Sequence, residues 1–418
     1  MDFTAVFGPN SVYTRGGGTE LLSSFFSWVD FAEEDRRKMS EVIALFREQD
    51  TRDELGLGGI RDTFADLLFP ATSTIQTRAR YFLFIPWVYQ ELERRRTLPQ
   101  DIERLARRDE IRLIHALENG GENDGIIGTL AQDRLARLPS SIYWAGLGKL
   151  GIRRFTGSQE HYHREFSAFY PPSGRRLESE DEQPAESGSW SASIPSAPSG
   201  FLERTTFSLT KREAKYLAER IWEFGQTTFG ELLGSSNAET GSTFVWETVF
   251  AAKLGLSLKS QIAHAQNFSE LMHGAVLLYN FMLAREAKRK SLQDEYRAKL
   301  GTWAEMIGDG KPRYEAWDRQ RFWKFVSESA HFVSLPTREF VNRWIDLALQ
   351  NRRLGSLAGD QAAQTLIEAR EARVKTTRRR IGNPRALERW NEASGAGQID
   401  YRWFRVKTIA ADIRQGLA

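Results

Sequence analysis

The chain has no cysteine in 418 residues, which excludes disulfides, thiolate zinc sites and a cysteine nucleophile. It has only six histidines, so imidazole chemistry is confined to a few positions. No apolar run approaches the roughly 18 residues that a membrane-spanning helix needs. The opening Met1-Asp2-Phe3-Thr4 has neither the basic nor the apolar stretch of a secretory leader, so a cytoplasmic location is expected. Several linear signatures are also missing: Gly-x-Ser-x-Gly, His-Glu-x-x-His, a His-Lys-Asp phospholipase-type motif, a Walker-type Gly-Lys-Ser/Thr and an Asp…Glu-x-Lys nuclease pattern. Their absence lowers the expectation of catalysis and leaves only a dispersed active site open.

Aromatic residues are plentiful. With 41% hydrophobic residues and 12 Trp, 11 Tyr and 26 Phe, burial of rings offsets the chain entropy that keeps polar chains unfolded. At 100 to 200 residues per domain, the length suggests about two or three units. The formal charge of +3 is unevenly distributed. Residues 1–170 carry 22 Lys/Arg against 25 Asp/Glu, and residues 368–418 carry 12 against 6. A C-terminal cationic excess of this kind suits a polyanion, whose counterions are released on binding.

Helical periodicity runs through the chain, and no block of alternating residues with regular turn signals suggests a sheet. The expected fold is mainly α and multi-helical, with two helical domains (1–170 and 201–367) joined by a Pro/Ser/Gly/Glu-rich linker at 171–200 and followed by a basic and aromatic segment at 368–418. The pair Asp30/Glu33 has capping-box spacing and opens a helix over about 32–48. A short helix is expected from Ile60 to Phe69, closed by Pro70. A second capping box, Ser73/Gln76, predicts a helix to about Arg96, kinked at Pro86. Further helices are expected at 101–117, 123–137 and 140–152, then from the Thr210/Glu213 capping box to about Phe224, and over a long stretch from Phe244 to about Lys299. Within the linker, Trp190, Ile194 and Phe201 are candidate tethers.

Four constellations carry possible chemistry. In the block 52–87, Thr72, Ser73, Thr74, Thr77, Arg78 and Arg80 could hold an anion or a partner at a helix N-terminus. The alternative is a capped helix whose arginines pair with Asp62 or Asp66. Gly146 to Gly151 reads Gly-x-Gly-x-x-Gly but lacks the strand before it, which favours close packing or a turn over a dinucleotide site. Glu270/His273 and Glu328/His331 are two Glu-x-x-His elements. Joined by two further glutamates such as Glu219 and Glu247, that spacing would build a carboxylate-bridged metal pair in a helical bundle. The bland reading is coincidence, and no cofactor is assigned, a metal remaining the alternative. His161-Tyr162-His163 sits in a polar patch, and His115 reads as a core or boundary residue.

The strongest binding signal is C-terminal. Arg373, Lys375, Arg378, Arg379, Arg380 and Arg385, with Arg402, Trp403 and Arg405 in Tyr401-Arg402-Trp403-Phe404-Arg405-Val406-Lys407, interleave cations with flat rings. Such a pattern can track phosphates and stack on bases. Alternatively the rings anchor a terminal helix and the arginines form a solvated or acid-paired face.

The stretch from Arg52-Asp53-Glu54-Leu55-Gly56 to Trp87, the loop around Trp190, Pro195 and Pro198, the helix start Leu209-Thr210-Lys211-Arg212-Glu213-Ala214, the segment His273-Gly274-Ala275 to Tyr279-Asn280, and Tyr401-Arg402-Trp403 together resemble a bacterial family of unknown function. Its members are encoded in phage-defence gene clusters beside helicases, phospholipase-D-like nucleases and methyltransferases. The resemblance implies a cytoplasmic, defence-linked role with no assigned catalytic residues. The expected function is a non-catalytic DNA- and protein-binding subunit of a bacterial anti-phage defence complex, with DNA and a helicase or nuclease subunit as partners and no membrane. The alternative is a metal-dependent nuclease or oxidase using the Glu-x-x-His elements.

Overall fold

A computed structural model describes residues 53–170, 188–235, 241–350 and 354–418. The expected helix at 32–48 and residues 171–187 of the linker lie outside these. The described residues form sixteen α-helices with short 3-10 turns. The only ladder-like contact among them is an isolated antiparallel bridge between Arg153 and Trp190. The protein is mainly α.

The first helix, α1 (Gly58–Leu68), buries Ile60, Phe64, Ala65 and Leu68 along one side. Asp53 caps it by accepting from the Leu57 and Gly58 amides at 2.5 and 2.7 Å. Gly56 precedes it at φ +68, where a Cβ would lie 2.6 Å from the Arg370 guanidinium, so only glycine fits the turn without strain. The next helix, α2 (Tyr81–Arg94), is shorter than its sequence pattern suggests and contains Pro86. Ser73 and Gln76 do not open a helix; the Gln76 side chain accepts from the Ser73 amide, but the chain stays irregular to Arg80. The reason is competition for donors. The Thr77 and Arg78 amides both reach the Tyr143 hydroxyl and the Ala79 amide reaches Asp412, so tertiary acceptors replace intrahelical ones.

Helix α3 (Pro99–Asn119) follows expectation, whereas 123–137 holds only the 3-10 turn Gln132–Arg134. Gly125 and Gly128 at φ +83 and +94 break the helical path there. After α4 (Pro139–Lys149) and α5 (Gln159–Arg164), the segment around 188–201 is docked rather than free. The Trp190 indole donates to Glu93 and to the Tyr162 hydroxyl, the Ser191 amide donates to Ile152, and the Trp87 indole donates to Pro195.

Helix α6 (Lys211–Trp222) has the full Thr210/Glu213 capping box, and α7 (Thr228–Gly234) and α8 (Val249–Lys253) are short. The stretch 244–299 is interrupted twice. The long α9 (Leu256–Glu286) ends at a turn through Lys288 at φ +55, and α10 (Lys290–Asp309) packs back along it. Their contact is close at Gly274, where a Cβ would lie 2.3 Å from the Trp303 ring. Then come α11 (Lys311–Glu315), α12 (Arg319–Glu328), α13 (Leu335–Gln350), α14 (Gln361–Lys375), α15 (Pro384–Leu387) and α16 (Trp403–Leu417).

Buried apolar side chains form one connected cluster from Leu55 to Ile413 that crosses the 171–200 boundary through Trp190 and Ile194. Helix α16 ties its ends together. Its Trp403, Val406, Ile409 and Ile413 are buried, Phe69 stacks on Trp403 at 5.9 Å, and Asp412 grips the loop before α2.

Candidate functional site

Both arginines of the block 52–87 are engaged inside the protein. Asp412 takes the Arg78 guanidinium at 2.8 to 3.1 Å. Burial opposes the Arg78 charge, but Asp412 outweighs it and the pKa is raised. Arg80 is 6% exposed; it donates to Glu213 at 2.9 Å and to the Thr206 carbonyl at 2.8 Å. Glu213 accepts from the Thr210 amide with its other oxygen, so one carboxylate both caps α6 and neutralises Arg80. Asp62 and Asp66 instead face Arg402, at 3.5 and 2.8 Å. Of the remaining anion-site candidates, Thr77 donates to the Gly125 carbonyl and the Thr72 hydroxyl donates to Phe69. Among the described residues, Thr74 and Ser73 find no such side-chain bond, and the Ser73 hydroxyl oxygen is buried without a partner there.

The C-terminal cations divide into two groups. Lys375 and Arg380 sit in a buried network. Glu54 pairs with both, Lys375 donates to the Tyr279 hydroxyl at 2.7 Å, and Glu371 accepts from that hydroxyl and from the Arg380 and Ile381 amides. Burial works against the Glu54 charge, yet the two cations hold its carboxyl below the usual range. Arg402 is bound to Asp66 and to the Thr72 carbonyl, Arg405 to the Thr74 carbonyl, and Trp403 is fully buried. The second group comprises Arg373, Arg378, Arg379 and Arg385, joined by Arg389. All five are exposed, and no ion pair or hydrogen bond from their side chains occurs among the described residues. They follow one another along the chain from the end of α14 through α15, a run termed the arginine ridge.

The Glu-x-x-His elements are not brought together. Glu270 accepts from Tyr314 and pairs with Arg313, and the His273 ring donates to the Ala396 carbonyl. Glu328 is on the surface near Lys324, and His331 sits 3.0 Å from Asp66. No group of three or more His, Asp or Glu placed to hold a metal occurs among the described residues. His273 instead helps to anchor a loop. Ser269, His273 and Asn280, on one face of α9, donate to the carbonyls of Ile399, Ala396 and Ser394, while Tyr296 reaches Glu392. Side chains from two helices thus hold the irregular stretch 392–399 in place. Gly146, inside α4, lets the helix approach Ala71, since a Cβ would lie 2.6 Å from that carbonyl oxygen. His115 is exposed beside Glu118, not in the core. His163 is half-buried, 2.9 Å from the Tyr89 hydroxyl, and burial lowers its pKa.

Held in that way, 395–402 forms one wall of a cleft of about 370 Å³. The other walls are 53–61 and 241–244, with Val276 of α9, Lys407 of α16 and Thr74 between them. Tyr401 and Arg402 are consecutive residues at φ +53 and +73, a costly pairing for non-glycine residues that survives only where the surroundings impose it. The Tyr401 hydroxyl on Ala265 and the Arg402 guanidinium on Asp66 impose it. Sequence reasoning singled out Arg402 here, but missed Phe244, Thr243 and Gln398, whose only local signal is the aromatic pair Phe244/Trp246.

Residues 23–414 match the sequence profile of a family of unknown function (DUF6361). No curated protein and no solved structure matches the chain.

Proposed function

We propose, from the premise that the chain belongs to the DUF6361 family, that it is a cytoplasmic, non-catalytic subunit of a bacterial anti-phage defence complex, which binds DNA along the arginine ridge and a helicase or nuclease partner. The observation that carries the DNA reading is the division of the C-terminal cations. Lys375 and Arg380 share the buried carboxylate of Glu54, and Arg402 has the half-buried Asp66 as its counterion. Arg373, Arg378, Arg379, Arg385 and Arg389 stand exposed without any among the described residues. Exposed guanidiniums so close along the chain suit a phosphate backbone, which releases its own counterions on binding them. No described helix is long and apolar enough to cross a membrane.

The test is the affinity for unrelated duplex DNA sequences across a salt series. Changing Arg378, Arg379 and Arg385 together to alanine should weaken all of them about equally and lower the slope of log affinity against log salt by roughly 3. The melting temperature should hardly move, because none of the three is buried. An unchanged affinity and slope would remove the ridge from the reading.

A further inference from the structure

We infer that the cleft between 53–61, 241–244 and 395–407 binds a nucleotide, with the base on Phe244 and the phosphate on Lys407. The size is suitable: about 370 Å³ lies within the roughly 300–1,000 Å³ of small-molecule sites.

The groups left available in the cleft define the ligand. Its three carboxylates are saturated by the protein itself. Asp53 caps α1 through the Leu57 and Gly58 amides, Glu54 holds Lys375 and Arg380, and Asp400 accepts from the Arg402 and Phe404 amides at 3.0 and 3.2 Å. A divalent cation would find no open oxygen ligand there. Lys407 is the reverse case. Its ammonium donates to the Ser242 carbonyl at 3.1 Å and pairs with no carboxylate among the described residues, so it can take an anion. The side chains of Gln398, Thr74 and Thr243 also line the cleft without a hydrogen-bond partner among the described residues. These amide and hydroxyl groups suit the donor and acceptor edge of a base or the hydroxyls of a sugar.

A flat platform completes the set. Phe244 is backed by Trp246 at 4.7 Å and 5° between ring planes, and a base of any identity can add to such a stack because every base has a flat π-face. An acyl chain would instead need an enclosed apolar tunnel, and this cleft is rimmed by charged side chains. It also adjoins the arginine ridge. Glu54 in its wall pairs with Arg380, and Arg378 and Arg379 precede that residue directly. The nucleotide can therefore be a free monophosphate or one unstacked unit of a single strand lying along the ridge. The free-nucleotide form of the inference does not depend on the ridge binding DNA, whereas the strand form rests on that reading.

Two ligands separate the sources: free ethenoadenosine monophosphate, and a single-stranded oligonucleotide carrying one 2-aminopurine, each followed by fluorescence on the full chain. If the cleft takes free nucleotide, Phe244→Ala and Lys407→Gln each weaken the monophosphate by about 10-fold, and R378A/R379A leaves that affinity unchanged. If it takes a strand, the monophosphate fails to bind, 2-aminopurine is quenched by the parent, and both the cleft and the ridge variants lose that quenching. Should Phe244→Ala lower the melting temperature, Gln398→Ala, which removes no packed ring, replaces it with the same expected direction. Full binding of both ligands by Lys407→Gln and Gln398→Ala, or binding of neither by the parent, would overturn the inference.

Discussion

Arg80 and Glu213 show how little tolerance a buried ion pair leaves. Each is nearly inaccessible, and removing one partner strands the other charge in a low-dielectric interior, which costs about 3–5 kcal/mol. Arg80→Ala and Glu213→Ala should each lower the unfolding free energy measured by urea denaturation by that order, and the double variant should lose clearly less than the two losses combined. Additive losses would show that the pair does not act as a unit. Glu110 is a different case, a carboxyl in no ion pair among the described residues. It accepts from the Ser140 amide and hydroxyl at 2.8 and 2.7 Å, but burial dominates and pushes it up to about 7. Between its unfolded value near 4.5 and about 7 the folded protein holds a proton that the unfolded chain has released, so stability falls as pH rises through that window and is flat above it. The full effect is at most about 3 kcal/mol. Glu110→Gln keeps an acceptor without the charge; relative to the parent it should gain stability at pH 8 compared with pH 5, as measured by chemical denaturation at both. A parent-minus-variant difference that is constant with pH would refute this.

Among the elements, α16 joins the two ends of the described chain. It supplies Trp403, Val406, Ile409 and Ile413 to the core and Asp412 to Arg78. Ending the chain after Arg402 should abolish the cooperative thermal transition and leave a species with helical circular dichroism that binds a hydrophobic dye; a sharp transition in the truncated chain would show α16 to be peripheral. The sequence made α1, α3 and α6 legible because each has a one-sided apolar stripe, and clear starts mark three openings: Pro99 for α3, Pro139 for α4, and Thr210 with Glu213 for α6. It misled at 73–80 and 123–137, where the pattern is equally helical. Tyr143 and Asp412, distant in sequence, take the backbone donors in the first case, and glycines at positive φ divert the chain in the second. The candidate site was legible only in part for the same reason. Clustered arginines are plain along the chain, but which of them have counterions depends on Glu54, Asp62 and Asp66, more than 300 positions away.

At the scale of the molecule, the described chain closes on itself. Arg78 and Asp412 are separated by 334 positions, Arg370 and Leu55 by 315, and Arg380 and Glu54 by 326. These contacts are polar and directional, and they lie beside a shared apolar cluster, so the block around 53–87 cannot take up its final packing on its own. Proteins are made from the N-terminus at about 5–20 residues per second. Arg78 therefore leaves the ribosome some tens of seconds before Asp412 does, and during that time Phe69 lacks the ring of Trp403 that later covers it. The packing around 53–87 is therefore completed only once α16 has been made, and the apolar surface at Phe69 stays uncovered until then.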